Sequence, residues 1–215
     1  MRIDPDHIGI WGRTKSGKTT RARAILSSRP RVIAVDPAYT AQFTERDGYV
    51  CVEDELSLVR AIRASGSSYR IAYRPDKDLD PPHVLDSLVK ILECVQLPYI
   101  EGRDDTHLTL YIDELVEFFP NRQNACPGFS RLCSQGRHAG IGIVASSQRM
   151  AKVHTDFRGN TTQDYFFSPR AAVDVDEAIK LIGREHRGKL CTLRPHEYLH
   201  WKDGQLTTGH NPPLK

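Results

Sequence analysis

Gly12-Arg13-Thr14-Lys15-Ser16-Gly17-Lys18-Thr19 is a complete G-x-x-x-x-G-K-T pattern. A short apolar run with Ile8, Ile10 and Trp11 precedes it, and residues 20–26, beginning at Thr20, read as a helix. In that strand–turn–helix setting the glycines let the backbone curl until its N–H groups point inward at a phosphate, and the helix N-terminus adds positive potential. The expected nucleotide contacts therefore run from Gly12 to Thr20. Lys18 is spaced to reach the β- and γ-phosphates, and the Thr19 hydroxyl to meet Mg²⁺. The competing reading is an ordinary Gly-Lys turn; the flanking strand and helix weigh against it.

The rest of the chain has to supply a sheet for this loop. Its 215 residues are enough for one sizeable α/β domain. We expect a single domain over residues 1–215, with a core from about 7 to 205 and short flexible termini. The net charge of +3 is mildly basic and compatible with a polyanionic partner. No apolar run approaches the ~18 residues that span a bilayer, and the first residues carry no apolar signal region, so a soluble intracellular protein without membrane insertion is expected. The five cysteines (51, 94, 126, 133 and 191) form no C-x-x-C pair, which suits reduced thiols better than a disulfide framework or zinc site.

Along the chain, strand-like and helix-like stretches alternate. Residues 31–36, 49–52, 69–74, 107–113, 141–146 and 164–168 read as strands; 53–64, 81–95, 128–137 and 173–182 read as helices. Residues 150–163 read as polar and irregular, and 190–208 as a terminal β-hairpin turning at Asp203-Gly204. The pattern predicts an α/β, three-layer P-loop NTPase with a mainly parallel central sheet covered on both faces and a C-terminal β-hairpin. Such sheets bind ligands at the carboxyl ends of their strands. Gly12, Asp36, Asp113 and Gln148 all fall at or just after predicted strand ends, and so are expected along one edge.

The strongest predicted strand ends in Asp113-Glu114. A carboxylate at the strand end can hold Mg²⁺, directly or through water, and one placed a residue later can polarise an attacking water. Asp113 is assigned to the metal and Glu114 to the water. Adjacent acids favour hydrolysis by a motor or switch over transfer to a small substrate.

Residues 133–149, from Cys133 through Gly136-Arg137-His138-Ala139-Gly140 to Ser147-Gln148-Arg149, resemble a segment of the FtsK–HerA superfamily of ring-forming, DNA-pumping ATPases. The 153–160 stretch, the Tyr165-Phe166-Phe167 strand and the closing stretch at 193–198 are similar to that superfamily too, and the resemblance covers roughly residues 7 to 205. It implies that Gln148 senses the γ-phosphate and that an arginine from a neighbouring subunit completes the site: Arg137 by best match, Arg149 in reserve. It further implies ATP and Mg²⁺ as cofactors, a pentameric or hexameric ring, sequence-independent grip on double-stranded DNA, and a capsid or portal-vertex partner. By its length the chain looks like a viral genome-packaging ATPase, acting in the host cytoplasm and at a virion vertex. Filamentous-phage-type assembly ATPases resemble it at Asp113-Glu114, Phe119-Pro120, Arg122 and Arg137–Gly140. A slow nucleotide-dependent regulatory switch that does not move DNA is the alternative from another class.

Two further stretches need weighing. The loop from Pro120 to Cys126, with Arg122, Gln123 and Asn124, is suited to phosphate contacts without base reading and is the candidate DNA grip. Lys152, Arg158 and Arg170 are candidate interface or channel cations. His196-Glu197-Tyr198-Leu199-His200 matches the H-E-x-x-H zinc-protease pattern, but that chemistry needs a helix to bring both histidines to one face. Pro195 before it and the Asp-Gly turn after it favour a strand.

Overall fold

A computed structural model describes residues 5–36, 42–122 and 126–211. The strands are β1 (His7–Trp11), β2 (Arg31–Val35), β3 (Val50–Val52), β4 (Tyr69–Tyr73), β5 (Leu108–Ile112), β6 (Ile141–Ser147), β7 (Gln163–Phe166), β8 (Glu197–Lys202) and β9 (Gln205–His210). The helices are α1 (Lys18–Leu26), α2 (Glu55–Ala64), α3 (Pro81–Val95), α4 (Leu97–Ile100), α5 (Leu115–Phe118), α6 (Pro127–Gln135), α7 (Thr155–Asn160), α8 (Ala172–Ile182) and α9 (Arg187–Cys191).

Strand order is β3-β4-β2-β5-β6-β1-β7-β8-β9. The pairs from β3 to β7 are parallel, and β8 and β9 continue the sheet antiparallel. Parallel register decides the function of this sheet. Val35 pairs with Ile112, Ile112 with Ala145, Trp11 with Ser147, and Trp11 with Phe166. The exits of β2, β5, β6, β1 and β7 thus share one edge, as the sequence reading expects.

Both sheet faces are apolar because these strands are buried on both sides. Alternation splits the side chains between two clusters. Ile33, Val35, Leu108, Leu110 and Ile112 join the cluster containing α3, α6 and α8 residues; Ile8, Ile10, Val32, Ala34 and Tyr111 join the one containing Ala22, Ile25 and Leu26 of α1. The three layers are therefore uneven, with α1 the helix contributing to the second cluster among the described residues. Local sequence sets the helix starts. Asp54 caps α2 by accepting from Ser57 N (2.8 Å), and Asp80 caps α3 ahead of two prolines pre-set for a first turn.

Three expectations change. Residues 150–163 are not irregular: they contain a 3-10 turn at Met150–Lys152 and α7, whose Phe157 is fully buried and packs edge-on against Trp11. The hairpin starts at Glu197, since residues 187–191 form α9, and it runs past the expected core limit of 205 to His210. Asn211 follows, 1% exposed, after a β9 whose residues are mostly exposed. The Asp203-Gly204 turn is as expected, both residues at positive φ.

Candidate nucleotide site

The loop after β1 is held by backbone on both sides. Gly12 N donates to Ser147 O of β6 (3.2 Å) and Arg13 N to Ser168 O beyond β7 (2.9 Å). Gly12 sits at φ +152, and a Cβ there would lie 2.6 Å from Phe167 Cβ, so only glycine fits. Arg13, Thr14 and Lys15 are exposed at the crest; Ser16 and Lys18 are buried. Lys18 Nζ donates across the loop to Arg13 O (3.1 Å). Burial lowers its pKa, while the nearby Glu114 and Asp113 carboxylates act in the opposite direction and favour the cation. Loop lysine and strand-end acids thus share one electrostatic neighbourhood.

The β5–β6 register explains how the acids are held. With Ile112 opposite Ala145, Asp113 falls beside Ser146 and Glu114 beside Ser147. Ser146 Oγ donates to Asp113 Oδ1 (2.5 Å), as does the Tyr111 hydroxyl (3.1 Å), and Gln42 Nε2 donates to Oδ2 (3.3 Å). Complete burial raises the Tyr111 pKa well above its ordinary value, and the Asp113 charge adds to this, so the phenol stays a donor. Glu114 adopts a left-handed backbone (φ 49°, ψ 57°), a conformation that costs a non-glycine residue about 1 kcal/mol. Its Oε1 accepts from Ser147 Oγ (2.8 Å) and Gln148 N (3.0 Å). Gln148 Oε1 in turn accepts from the Thr14 hydroxyl (2.6 Å), closing a chain from Glu114 back to the phosphate loop.

Sequence reasoning brought Gly12–Thr20, Asp113, Glu114 and Gln148 together, and the fold does so. It overlooked Tyr111, Ser146, Ser147 and Gln42. A signal existed for three: Tyr111 lies two residues before Asp113 on the same strand face, and Ser146-Ser147 are polar residues closing a buried strand. Gln42 lies far from any motif.

For Mg²⁺ the donors present are hard oxygens, the Thr19 hydroxyl and the Asp113 carboxylate. Among the described residues no group of three or more His, Cys, Asp or Glu could hold a metal. A hydroxyl and a carboxylate match an ion that takes one or two protein oxygens and completes its shell with substrate phosphates and water.

The candidate arginines divide. Arg149 Nε donates to the buried Asp174 carboxylate (3.0 Å), so it is committed within its own chain. Arg137 lies in the 3-10 turn Gly136–Ala139 before β6, near His7 at the start of β1. It sits at the amino edge, about 20 Å of strand away from the site at the exit of β6. Arg158, read as an interface or channel cation, pairs with Glu177 of its own chain (2.6 Å). Arg122 is exposed; Gln123 and Asn124 lie outside the described residues. His200 of the H-E-x-x-H pattern stands in β8, its ring stacked on Tyr165 at 4.1 Å, and the segment is no helix.

No protein-family profile matches the chain. No curated protein sequence does either. Solved structures do match in fold. The genome packaging NTPase B204 from Sulfolobus turreted icosahedral virus 2, in complex with AMPPCP, superposes with a TM-score of 0.74 at 20% identity, over 98% of this chain and 99% of that one. B204, the DNA-packaging ATPase from Sulfolobus turreted icosahedral virus, gives 0.75 at 21% identity over 99% and 100% of the two chains. VirB4 of Thermoanaerobacter pseudethanolicus gives 0.70 at 9% identity over 97% and 89%. At these identities the likeness is one of fold. No helix among the described residues is long and apolar enough to cross a membrane.

Proposed function

We propose that this chain is a Mg²⁺-dependent ATPase whose hydrolysis drives movement of double-stranded DNA, as in viral genome packaging, in a ring of identical subunits. The observation that carries the reading is the link from Glu114 to Thr14 of the loop through Gln148, whose backbone N–H donates to the Glu114 carboxylate and whose side-chain Oε1 accepts from the Thr14 hydroxyl. It joins a group able to accept a proton from water to the loop that would hold the phosphates. The fold likeness over nearly the whole of both chains to a DNA-packaging ATPase supports the motor assignment.

In this reading the loop N–H groups and Lys18 bind the β- and γ-phosphates. Mg²⁺, when bound by Thr19 and Asp113, supplies charge neutralisation on the transferring phosphoryl group. Both bonds to the Glu114 carboxylate land on Oε1, leaving Oε2 to orient and deprotonate water. Gln148, tied to the same carboxylate through its backbone, moves with the γ-phosphate and reports its loss. Arg137 cannot reach its own site, and in a head-to-tail ring it would serve the neighbour's, where a guanidinium stabilises developing charge.

Glu114→Gln tests the chemistry. ATP affinity should stay near wild type while turnover falls about 100-fold or more. A variant that hydrolyses ATP at the wild-type rate would mean that another group activates the water.

A further inference from the structure

The phosphate loop has an outer side, and the C-terminal hairpin holds it. His196 N donates to Ser16 O (2.8 Å) and Asn211 Nδ2 donates to Gly17 O (2.8 Å). Asn211 N donates to His196 O (2.9 Å), so the residues flanking β8 and β9 form one clamp. Asn211 is 1% exposed, and its Oδ1 has no hydrogen-bond partner among the described residues. Gly17, at φ +110, is pressed against it: a Cβ would lie 2.7 Å from Asn211 Nδ2 and 3.0 Å from His196 Nδ1. His196 takes a left-handed backbone (φ 69°) at this contact. The hairpin also meets α1, where the Arg21 guanidinium lies over the Tyr198 ring of β8 at 5.0 Å and over the Tyr165 ring of the adjoining β7 at 4.4 Å.

A trans peptide points its C=O and the following N–H in opposite directions. Gly17 O also accepts the first bond of α1, from Arg21 N (3.0 Å), so Asn211 adds a second donor to it while His196 N holds Ser16 O; fixing these two carbonyls turns the N–H groups of Gly17 and Lys18 toward the phosphate side of the loop. We propose that Asn211 is a positioning residue for the phosphate loop, so that nucleotide affinity depends on the docked C-terminal hairpin. This rests on the phosphate-binding reading of Gly12–Thr19. Positioning by the hairpin also couples the two elements: a nucleotide that needs the aligned loop must in turn stabilise the docked hairpin.

The test is equilibrium binding of a non-hydrolysable ATP analogue with Mg²⁺ to the full chain, its Asn211→Ala and Asn211→Asp variants, and Lys18→Ala. At about pH 8 the Asn211→Asp variant would face the Gly17 carbonyl with an ionised carboxylate oxygen in place of the amide N–H, and should bind about 10-fold or more weakly. Burial and the facing Gly17 carbonyl favour the neutral carboxyl, which can donate once lowered pH protonates it, so the ratio of variant to wild-type affinity should return toward one as pH falls. A purely structural role would lower thermal stability and leave that ratio flat with pH. In the wild type, which needs no variant to fold, the analogue should slow amide exchange over 206–210. Asn211→Ala binding as tightly as wild type, or unchanged exchange in β9, overturns the inference alone. Wild-type protein that binds no better than Lys18→Ala overturns the phosphate-binding reading, and this inference with it.

Discussion

Ser147 holds Oε1 of Glu114 much as Ser146 and Tyr111 hold Oδ1 of Asp113, whose Oδ2 is held in turn by Gln42. Ser147→Ala should lower the ATPase rate about 10-fold with nucleotide affinity unchanged, because it frees the orientation of the base without touching the phosphates. Steady-state kinetics separate the two effects. Two buried titratable residues lie on the strands that lead to the loop, His7 at the start of β1 and Asp164 in β7. Burial raises the Asp164 pKa to about 6 despite hydrogen bonds from Trp11 and Thr161. Burial lowers the His7 pKa to about 4, with Arg137 nearby acting in the same direction and backbone hydrogen bonds opposing. The signs are opposite. Between about pH 4 and 6 the folded chain holds a proton on Asp164 that the unfolded chain releases, so this group's contribution falls as pH rises. Over the same window the unfolded chain protonates a histidine that the folded chain keeps neutral, so the His7 contribution rises with pH. The two slopes largely cancel in the wild type. Asp164→Asn should expose the His7 slope, a stability that climbs by about 3 kcal/mol from pH 4 to 6.5. Denaturant unfolding across that range measures it.

Between elements, the exit of β6 is tied to the start of α8. Asp174, buried in the first turn of that helix, accepts from Arg149 Nε and from Ala151 N, both at 3.0 Å. Asp174→Ala would leave a backbone N–H unpaired and Arg149 without its carboxylate. A loss of about 1–3 kcal/mol is expected, measured by chemical denaturation. The same variant should also slow hydrolysis, since Arg149 follows Gln148 directly and its release loosens the segment that orients Gln148. α4 and the turn before β6 meet in a similarly exacting way. Gly140 sits at φ +69 with the Tyr99 ring 2.7 Å from where a Cβ would be, so this turn accepts no side chain without moving α4.

The molecule as a whole carries Lys18 and Arg137 on opposite edges of the sheet. Lys18 stands at the carboxyl edge of the sheet with the acids, and Arg137 at the amino edge. If each site is completed by a neighbour, specific ATPase activity should rise with protein concentration, and Arg137→Ala should abolish that rise while sparing ATP binding. Mixing inactive Arg137→Ala with inactive Glu114→Gln subunits should restore part of the activity. Some interfaces in the mixture then combine an intact Glu114 with an intact Arg137. No recovery on mixing, with both variants folded and assembling, would sink the trans-arginine arrangement.

The alternation of apolar runs with amphipathic ones already dictated a parallel α/β sheet, since such strands can be satisfied only by burial on both faces. That the 12–19 loop and Asp113-Glu114 would share one sheet edge was equally readable, because each pattern is made of residues adjacent in the chain and follows a predicted strand. What surrounds them was not. Ser146, Ser147 and Gln42 reach the acids only through strand register and loop return, and Asn211 reaches Gly17 across 194 positions of sequence. The pairing of Arg149 with Asp174, and the removal of Arg137 to the far edge, likewise follow from packing. Side-chain partners at long range are set by which faces the sheet brings together, and no local pattern records that choice.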